Sequence, residues 1–490
     1  MRQEASIAFH DVGNKCFELS GLRTGSVRDQ ILRANSLVQA LARKKWIGKT
    51  QPLFVIGGGV AGIAAALTAC KQGVDVVLVE RHTSPFRTQQ AIQTRWLDPH
   101  EFDWPHLHWS TRSVKWDAAE CPLPYRRGRA DRLSQEWQAT LSAFFANQDI
   151  LRNLRPKAGS GLSLGTLAII YNMDARRHLA IHPSKRGIIV SMPNKDGVAT
   201  RLRYGAVISC VGLSGENTHI TLDEYSANGS LIDESINVVP FTPFWANDFL
   251  AHSDFGLGAN MPAIVRVLIS GGGDGAQQDF LRAVTGHFGR PLFQALELGK
   301  VPMDLTPILL AEDFARRSHA WSNPDLLPKR DYETWHAAYV DLADNIWEYW
   351  KQNGMLSLRT SVLRKNVHAT WIIGGKTPGY CYGLNRLLIL LVAKLHALAT
   401  SRPEALSGSK PCLPTGYEVV LQGCRIKGVA GTNNHQSRVR IFGDGEFAHK
   451  DPVNLGLFDL IVARHGLKQR PFFDSGAPIT EQLMAMRPPG

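Results

Sequence analysis

Residues 55–80 read VIGGGVAGIAAALTACKQGVDVVLVE. The apolar run Leu53–Ile56 leading into this stretch suits a buried parallel strand. Three glycines follow, then a small-residue stretch of helical character, then a second apolar run closed by Glu80. Gly57 permits the tight turn out of the strand. Gly59 has no side chain, so a pyrophosphate can approach the backbone. Gly62 lets the following helix pack closely on the strand. The helix start, with Gly58 and Ala61 beside those glycines, presents free N–H groups and the positive end of the helix dipole to phosphates. Ala64, Ala65 and Ala66 keep that helix thin. Glu80 is placed to accept a hydrogen bond from a ribose 2′-hydroxyl, and its charge repels a 2′-phosphate. Arg81 beside it is a further candidate contact.

The stretch is similar to the FAD-binding N-terminus of the flavoprotein oxidoreductases that carry two dinucleotide-binding domains. These include the pyridine nucleotide–disulfide reductases and the class B flavin monooxygenases, and the ending VVLVERH resembles their adenine-ribose strand. The resemblance implies an α/β chain: a Rossmann-like FAD-binding domain with a second dinucleotide-binding-like domain. It implies FAD at Gly57–Gly62 and NAD(P)H, as NADH or NADPH, at the second domain. NAD in place of FAD stays open, because Glu80 serves either ribose.

The order of later segments follows the same plan. Residues 165–215 look β-rich, with NKDG as a hairpin turn signal. GAVISCVGLSG (205–215) resembles the strand that returns to the nucleotide in that superfamily, which makes Gly212 a candidate contact. Cys210 beside it reads as a small core thiol or a reactive one. A second glycine turn lies in IVRVLISGGGDGAQQDFLRAV (264–284), where Gly271, Gly273 and Ala276 resemble the nicotinamide-dinucleotide turn. Asp274 sits badly with a pyrophosphate there unless it caps a helix and points away. No acid or arginine closes a second strand within about 20 residues. A helical insertion over 280–354 takes its place, and HATWIIGGKTPGYCYGLNRLLILLVAKL (368–395) is expected to complete the second domain. Lys376, Tyr380 and Tyr382 are candidates for lining its pocket. Asp444, in a Gly-Asp pair, is the candidate for the ribityl and pyrophosphate side of FAD. The expected division is 1–50 as an N-terminal helical extension, 51–245 as the first part of the FAD domain, 246–400 as the NAD(P)-binding-like domain, and 401–490 as the C-terminal part of the FAD domain.

Two stretches fall outside that plan. VRDQILRANSLVQALARKKW (27–46) has apolar residues at helical spacing and a basic opposite face. It reads as a helix packed on the core or lying against a membrane surface or partner. RTQQAIQTRWLDPHEFDWPHLHWS (87–110) is dense in Trp, His and Pro. His106 and His108 in it, with His100 nearby, are the catalytic candidates, as acid/base groups or flavin contacts, the alternative being a structural loop with hydrogen-bonded imidazoles. His106 and His108 are spaced like the start of a metal site, but no compact third ligand is evident and no metal is expected.

The bulk numbers leave a soluble multidomain chain. It has 490 residues, 44% hydrophobic and 20% charged, and no run long and apolar enough to span a membrane. LLILLVAKLHALA (387–399) is interrupted by Lys394 and His396. Seven cysteines are scattered without a CxxC pair, which suits a reducing cytoplasm and argues against a dithiol redox centre. The net charge of +12 is mostly dispersed, with no nucleic-acid-binding motif, so a small-molecule substrate is expected rather than nucleic acid. The implied activity is an FAD-dependent oxidoreductase that uses NAD(P)H to reduce the flavin. The alternative is a nucleotide sensor or scaffold without turnover.

Overall fold

The computed structural model describes residues 7–8, 10–19, 27–98, 101, 104–105, 122–123, 126–153, 164–193, 198–212, 219–225, 231–317, 329–374, 381–400, 420–422, 424–430, 439–445, 453–465 and 472–473. The chain forms two compact units. The first comprises Met1–Pro99, Ser113–Gly215 and Lys468–Gly490; the second comprises His100–Arg112 and Glu216–Leu467.

In the first unit, β1 (Asp11–Gly13), β2 (Cys16–Glu18), β3 (Leu53–Ile56), β4 (Val76–Val79), β5 (Leu167–Ile170) and a later strand at Ala206–Ser209 share one sheet. Helix α1 (Val27–Arg43) precedes β3, α2 (Val60–Lys71) joins β3 to β4, and α3 (Ala130–Asn153) precedes β5. A three-stranded antiparallel meander follows: β6 (Ala180–Ser184), β7 (Gly187–Pro193) and β8 (Ala199–Tyr204). The chain then returns to the main sheet as β9 (Ala206–Ser209). The sheet order is β1-β2-β9-β3-β4-β5, parallel except for the β1–β2 edge. Taking β3, β4, β5 and β9 as strands 1 to 4, the spatial order is 3-2-1-4, a doubly wound arrangement. The order reverses between β3 and β9, and a crevice for a ligand opens at the carboxyl ends of strands at such a point. The two strands that flank NKDG pair as expected, with Pro193 opposite Ala199.

Residues 1–50 are not an appendage to this unit. Strand β2 lies parallel to β9, with Cys16 opposite Val207, and so extends the main sheet. Helix α1 lies along α2, and Thr68 Oγ1 donates to Asn35 Oδ1 at 3.1 Å. The alanines of α2 allow that approach. Val27, Ile31, Leu37, Val38 and Leu41 of α1 are all buried. At about 1.5–3 kcal/mol per buried aliphatic side chain, the apolar face of α1 is used in the core rather than kept for a membrane surface.

The second unit repeats the arrangement. Its strands are β10 (His219–Tyr225), β11 (Leu231–Pro240), β12 (Val265–Ser270), β13 (Val367–Ile373), β14 (Val420–Gln422), β15 (Cys424–Ala430), β16 (Val439–Gly445), β17 (Val453–Phe458) and β18 (Leu460–Ala463). Strands β14-β13-β12-β18 form an all-parallel sheet in that order. With β12, β13, β14 and β18 as strands 1 to 4, this is again 3-2-1-4. The remaining strands form a mostly antiparallel sheet ordered β11-β10-β15-β16-β17. The helical insertion lies between β12 and β13 and includes α4 (Asp274–Thr285), α5 (Thr306–Arg317) and α6 (Lys329–Gln352). Trp335, Tyr339, Leu342, Ile346 and Trp350 recur at helical spacing on α6 and are buried. Helix α7 (Gly383–Thr400) follows β13 and carries LLILLVAKLHALA, with Leu384, Leu387, Leu388, Leu391 and Leu395 all buried. No helix among the described residues is long and apolar enough to cross a membrane.

The expected division at 401 differs from this structure. Strand β14 pairs with β13 and β18 pairs with β12, so these strands are bound by backbone hydrogen bonds into the second unit. Residues 219–240, expected in the first part of the FAD domain, likewise belong to the second unit, where β10 pairs with β15. The return to the first unit begins at Lys468. There the backbone N–H groups of Phe472 and Phe473 donate to Glu18 Oε2, at 2.8 and 3.4 Å.

Candidate functional site

The candidate site lies at the carboxyl end of β3. Gly57 leaves the strand with φ +104°, and a Cβ there would stand 2.5 Å from the carbonyl oxygen of Cys210 on the neighbouring strand. Only glycine meets both demands. Gly62 faces the same turn from the helix, where a Cβ would come within 1.8 Å of the Gly57 oxygen. These two glycines press α2 onto β3. Gly59 differs: it is the N-cap of α2, and nothing lies within 4 Å of where its Cβ would stand. Open space therefore faces the helix N-terminus, whose first N–H groups have no acceptor within the helix. Ala61 continues that first turn and is buried. Gly212 lies two residues beyond Cys210, past the end of β9, with open space at its own Cβ position.

Glu80 directly follows β4 at the neighbouring position and is 7% exposed. Its carboxylate accepts from the backbone N–H of Gly58 at 2.5 Å through Oε2, and from that of His82 at 2.8 Å through Oε1. Each oxygen keeps a second lone pair for a hydroxyl donor. The carboxylate thus ties the glycine turn to the strand as well as marking the ribose position, a role the sequence reading did not include. Arg81 is turned to the surface, where its Nε donates to His82 Nε2 at 3.1 Å. Residues 170–173 run alongside, with Glu80 N–H donating to Ile170 O and Met173 N–H to Glu80 O. Tyr171 sits there, its phenol pushed above the usual value by burial and then by the Glu80 charge. It was not singled out in the sequence, although the end of a third parallel strand always borders such a crevice.

Cys210 is buried in the core, and burial, then the Glu18 charge, pushes its thiol well above the usual range. That environment makes it a core thiol, not a nucleophile.

The second glycine turn has the same backbone. Gly271 has φ +132° and faces the Arg464 carbonyl oxygen at 2.2 Å from its Cβ position. Gly273 is the N-cap of α4, at φ −85° and ψ −179°, against −73° and −175° for Gly59. Asp274 points to the start of α7, where its Oδ1 accepts from the Tyr382 backbone N–H at 3.1 Å and from Asn385 Nδ2 at 2.8 Å. Burial pushes its carboxyl up to about 6, against the lowering effect of Asn385, Tyr382 and Arg386.

Asp444 is not at the end of a parallel strand beside a glycine turn. It lies in β16, antiparallel to its neighbours, opposite Arg425, and the next element is strand β17 rather than a small-residue helix. The sheet it joins belongs to the second unit. His100, His106, His108, Lys376 and Tyr380 lie outside the described residues. The Trp-rich stretch divides: Trp96 belongs to the first unit, with the Arg127 guanidinium over its ring, and Trp104 is buried in the second against Tyr339.

The family model described as FAD dependent oxidoreductase matches residues 52–85, which span β3, the glycine turn, α2, β4 and Glu80. That match is confined to this one segment of the 490-residue chain. No curated protein matches the chain in sequence. Among solved structures, thioredoxin reductase of Lactococcus lactis is similar at 9% identity and a TM-score of 0.32, over 85% of this chain and 78% of that one. The bacillithiol disulfide reductase of Staphylococcus aureus is similar at 9% identity and a TM-score of 0.35, over 85% and 76%. OTEMO, solved in complex with FAD and NADP, is similar at 12% identity and a TM-score of 0.35, over 86% and 72%.

Proposed function

We propose that this chain is a cytoplasmic FAD-dependent oxidoreductase acting on a small molecule. The observation that carries the reading is the open cradle at Gly59, beside a helix N-terminus and in line with Glu80. Gly59, Val60 and Ala61 would hold the pyrophosphate of FAD through backbone N–H groups. Glu80 would hold the adenosine ribose. Bound FAD supplies two-electron redox chemistry, while the chain binds and orients it. Among the described residues the buried thiols Cys16, Cys70, Cys210 and Cys381 are unpaired, in keeping with a reducing compartment.

The sequence also pointed to NADH or NADPH as the electron donor, docked on Gly271–Ala276. The turn itself supports that expectation; the residues around it do not fit a dinucleotide. A flavin-binding chain without turnover is the second reading, favoured by that same misfit. The experiment is anaerobic reduction of the flavin-loaded protein by candidate substrates, followed by its visible absorbance. Bleaching by a small organic reductant supports an oxidoreductase, and a flavin that no substrate bleaches favours the sensor.

A further inference from the structure

The two glycine turns can be compared residue by residue, because the backbone hydrogen bonds fix the register. Gly57 N–H donates to Val79 O at 2.8 Å, and Gly271 N–H donates to Ile372 O at 3.0 Å. Cys210 N–H donates to Ile56 O, and Arg464 N–H donates to Ser270 O, each at 2.7 Å. Val79 therefore corresponds to Ile372, and Glu80 to Ile373. In the same way Cys210 corresponds to Arg464, Val60 to Asp274 and Ala61 to Gly275.

Three of these correspondences remove what a dinucleotide needs. Ile373 is 1% exposed and apolar, so the position that holds the ribose acceptor in the first unit offers no acceptor in the second. Asp274 puts a carboxylate in the first turn of α4, where a phosphate would have to sit at the same positive helix end. The carboxylate is held in place by Tyr382 N–H and Asn385, so it does not swing aside freely. The Phe244 ring closes over the helix start, 3.0 Å from the Cβ position of Gly275. Arg464, just past the end of β18, is engaged elsewhere: its Nε donates to Asp279 Oδ2 at 2.7 Å and its terminal nitrogen to Thr242 O. Arg282 completes that network by bonding both Asp279 and Asp248.

We infer that the second glycine turn takes no dinucleotide, because Asp274 fixes a carboxylate charge in the helix turn that a phosphate would use, Phe244 covers the helix start, and Ile373 stands in place of the ribose acceptor. The turn is retained as a packing device that seats α4 on β12 through Gly271 and Ala276. A reductant for the flavin then does not enter at this turn. The inference uses the reading of the first turn as its yardstick, and the test separates the two.

The full chain, loaded with FAD, is titrated with NADH and with NADPH by calorimetry. Hydrogen exchange is followed on peptides covering residues 57–62 and 271–277. The expected result is protection of 57–62 by FAD and no change at 271–277 with either nicotinamide up to about 1 mM, the scale of weak binding. Saturable heat with an unchanged 271–277 peptide places any nicotinamide site elsewhere and upholds the inference. Saturable heat with protection of 271–277 overturns it. Failure of FAD to protect 57–62 sinks the reading of the first turn instead, and the nicotinamide titration still judges the second turn alone.

Discussion

Replacing Gly59 by alanine separates fold from ligand at the first turn. The added methyl meets no atom within 4 Å, and the backbone at φ −73° is one that alanine adopts without strain. The cost to the folded protein is the small difference between glycine and alanine at an N-cap, about 0.5–1 kcal/mol. The methyl occupies the space through which a pyrophosphate oxygen reaches the N–H groups of α2. Loss of one hydrogen bond to a charged group is worth about 1.5–3 kcal/mol. At about 1.4 kcal/mol per tenfold, the FAD dissociation constant rises roughly 10- to 100-fold. The assay is FAD titration of the apoprotein by flavin fluorescence, with a thermal melt on the same sample. A Gly59→Ala variant that melts close to the parent but binds FAD weakly is the expected outcome. Parental affinity would refute the placement of the pyrophosphate.

Gly62→Ala behaves differently, since its methyl would lie 1.8 Å from the Gly57 oxygen: the first unit loses stability and the soluble yield falls. Glu80→Ala both weakens FAD binding and lowers the melting temperature, because the N–H groups of Gly58 and His82 lose their acceptor at about 1–3 kcal/mol each. An unchanged melting temperature would contradict that bracing role. His336 accepts from Arg386 at 2.9 Å, and burial, then the Arg386 charge, lowers its pKa to about 3. A base whose folded pKa is depressed stabilises the fold above its unfolded pKa of about 6.5 and loses that contribution as pH falls toward 3, by up to about 1.4 kcal/mol per pH unit. Urea unfolding at pH 7 and pH 5 should show a steeper loss in the parent than in His336→Gln. Cys210 resists thiol reagents in the native protein and reacts only after unfolding, which mass spectrometry of labelled peptides checks.

The first turn was legible because its determinants are local. Strand, glycines, helix and acid follow one another between Leu53 and Glu80, and each has one steric or electrostatic reason. The second turn was legible only as far as Ala276. Its ribose position lies on β13, beyond the whole helical insertion, so a search about 20 residues downstream ends within the insertion, near the short helix Gly289–Ala295. Ile373 becomes comparable with Glu80 only through the hydrogen bonds that set the register. The strand at Cys16–Glu18 was missed for a related reason: a short strand in a parallel sheet is recognised by its partner, and its partner β9 lies far along the chain. A Gly-Asp pair closing a strand carries no information about which sheet the strand joins, so the antiparallel pairing of the Asp444 strand was not legible.

The central claim is that Gly57–Glu80 holds FAD. The most direct measurement is the flavin content of the purified protein, followed by titration of the apoprotein with FAD and, separately, with NAD. The account predicts one FAD per chain, with binding weakened by Gly59→Ala. A colourless protein that takes up no FAD, or one that binds NAD at this turn in its place, would contradict it.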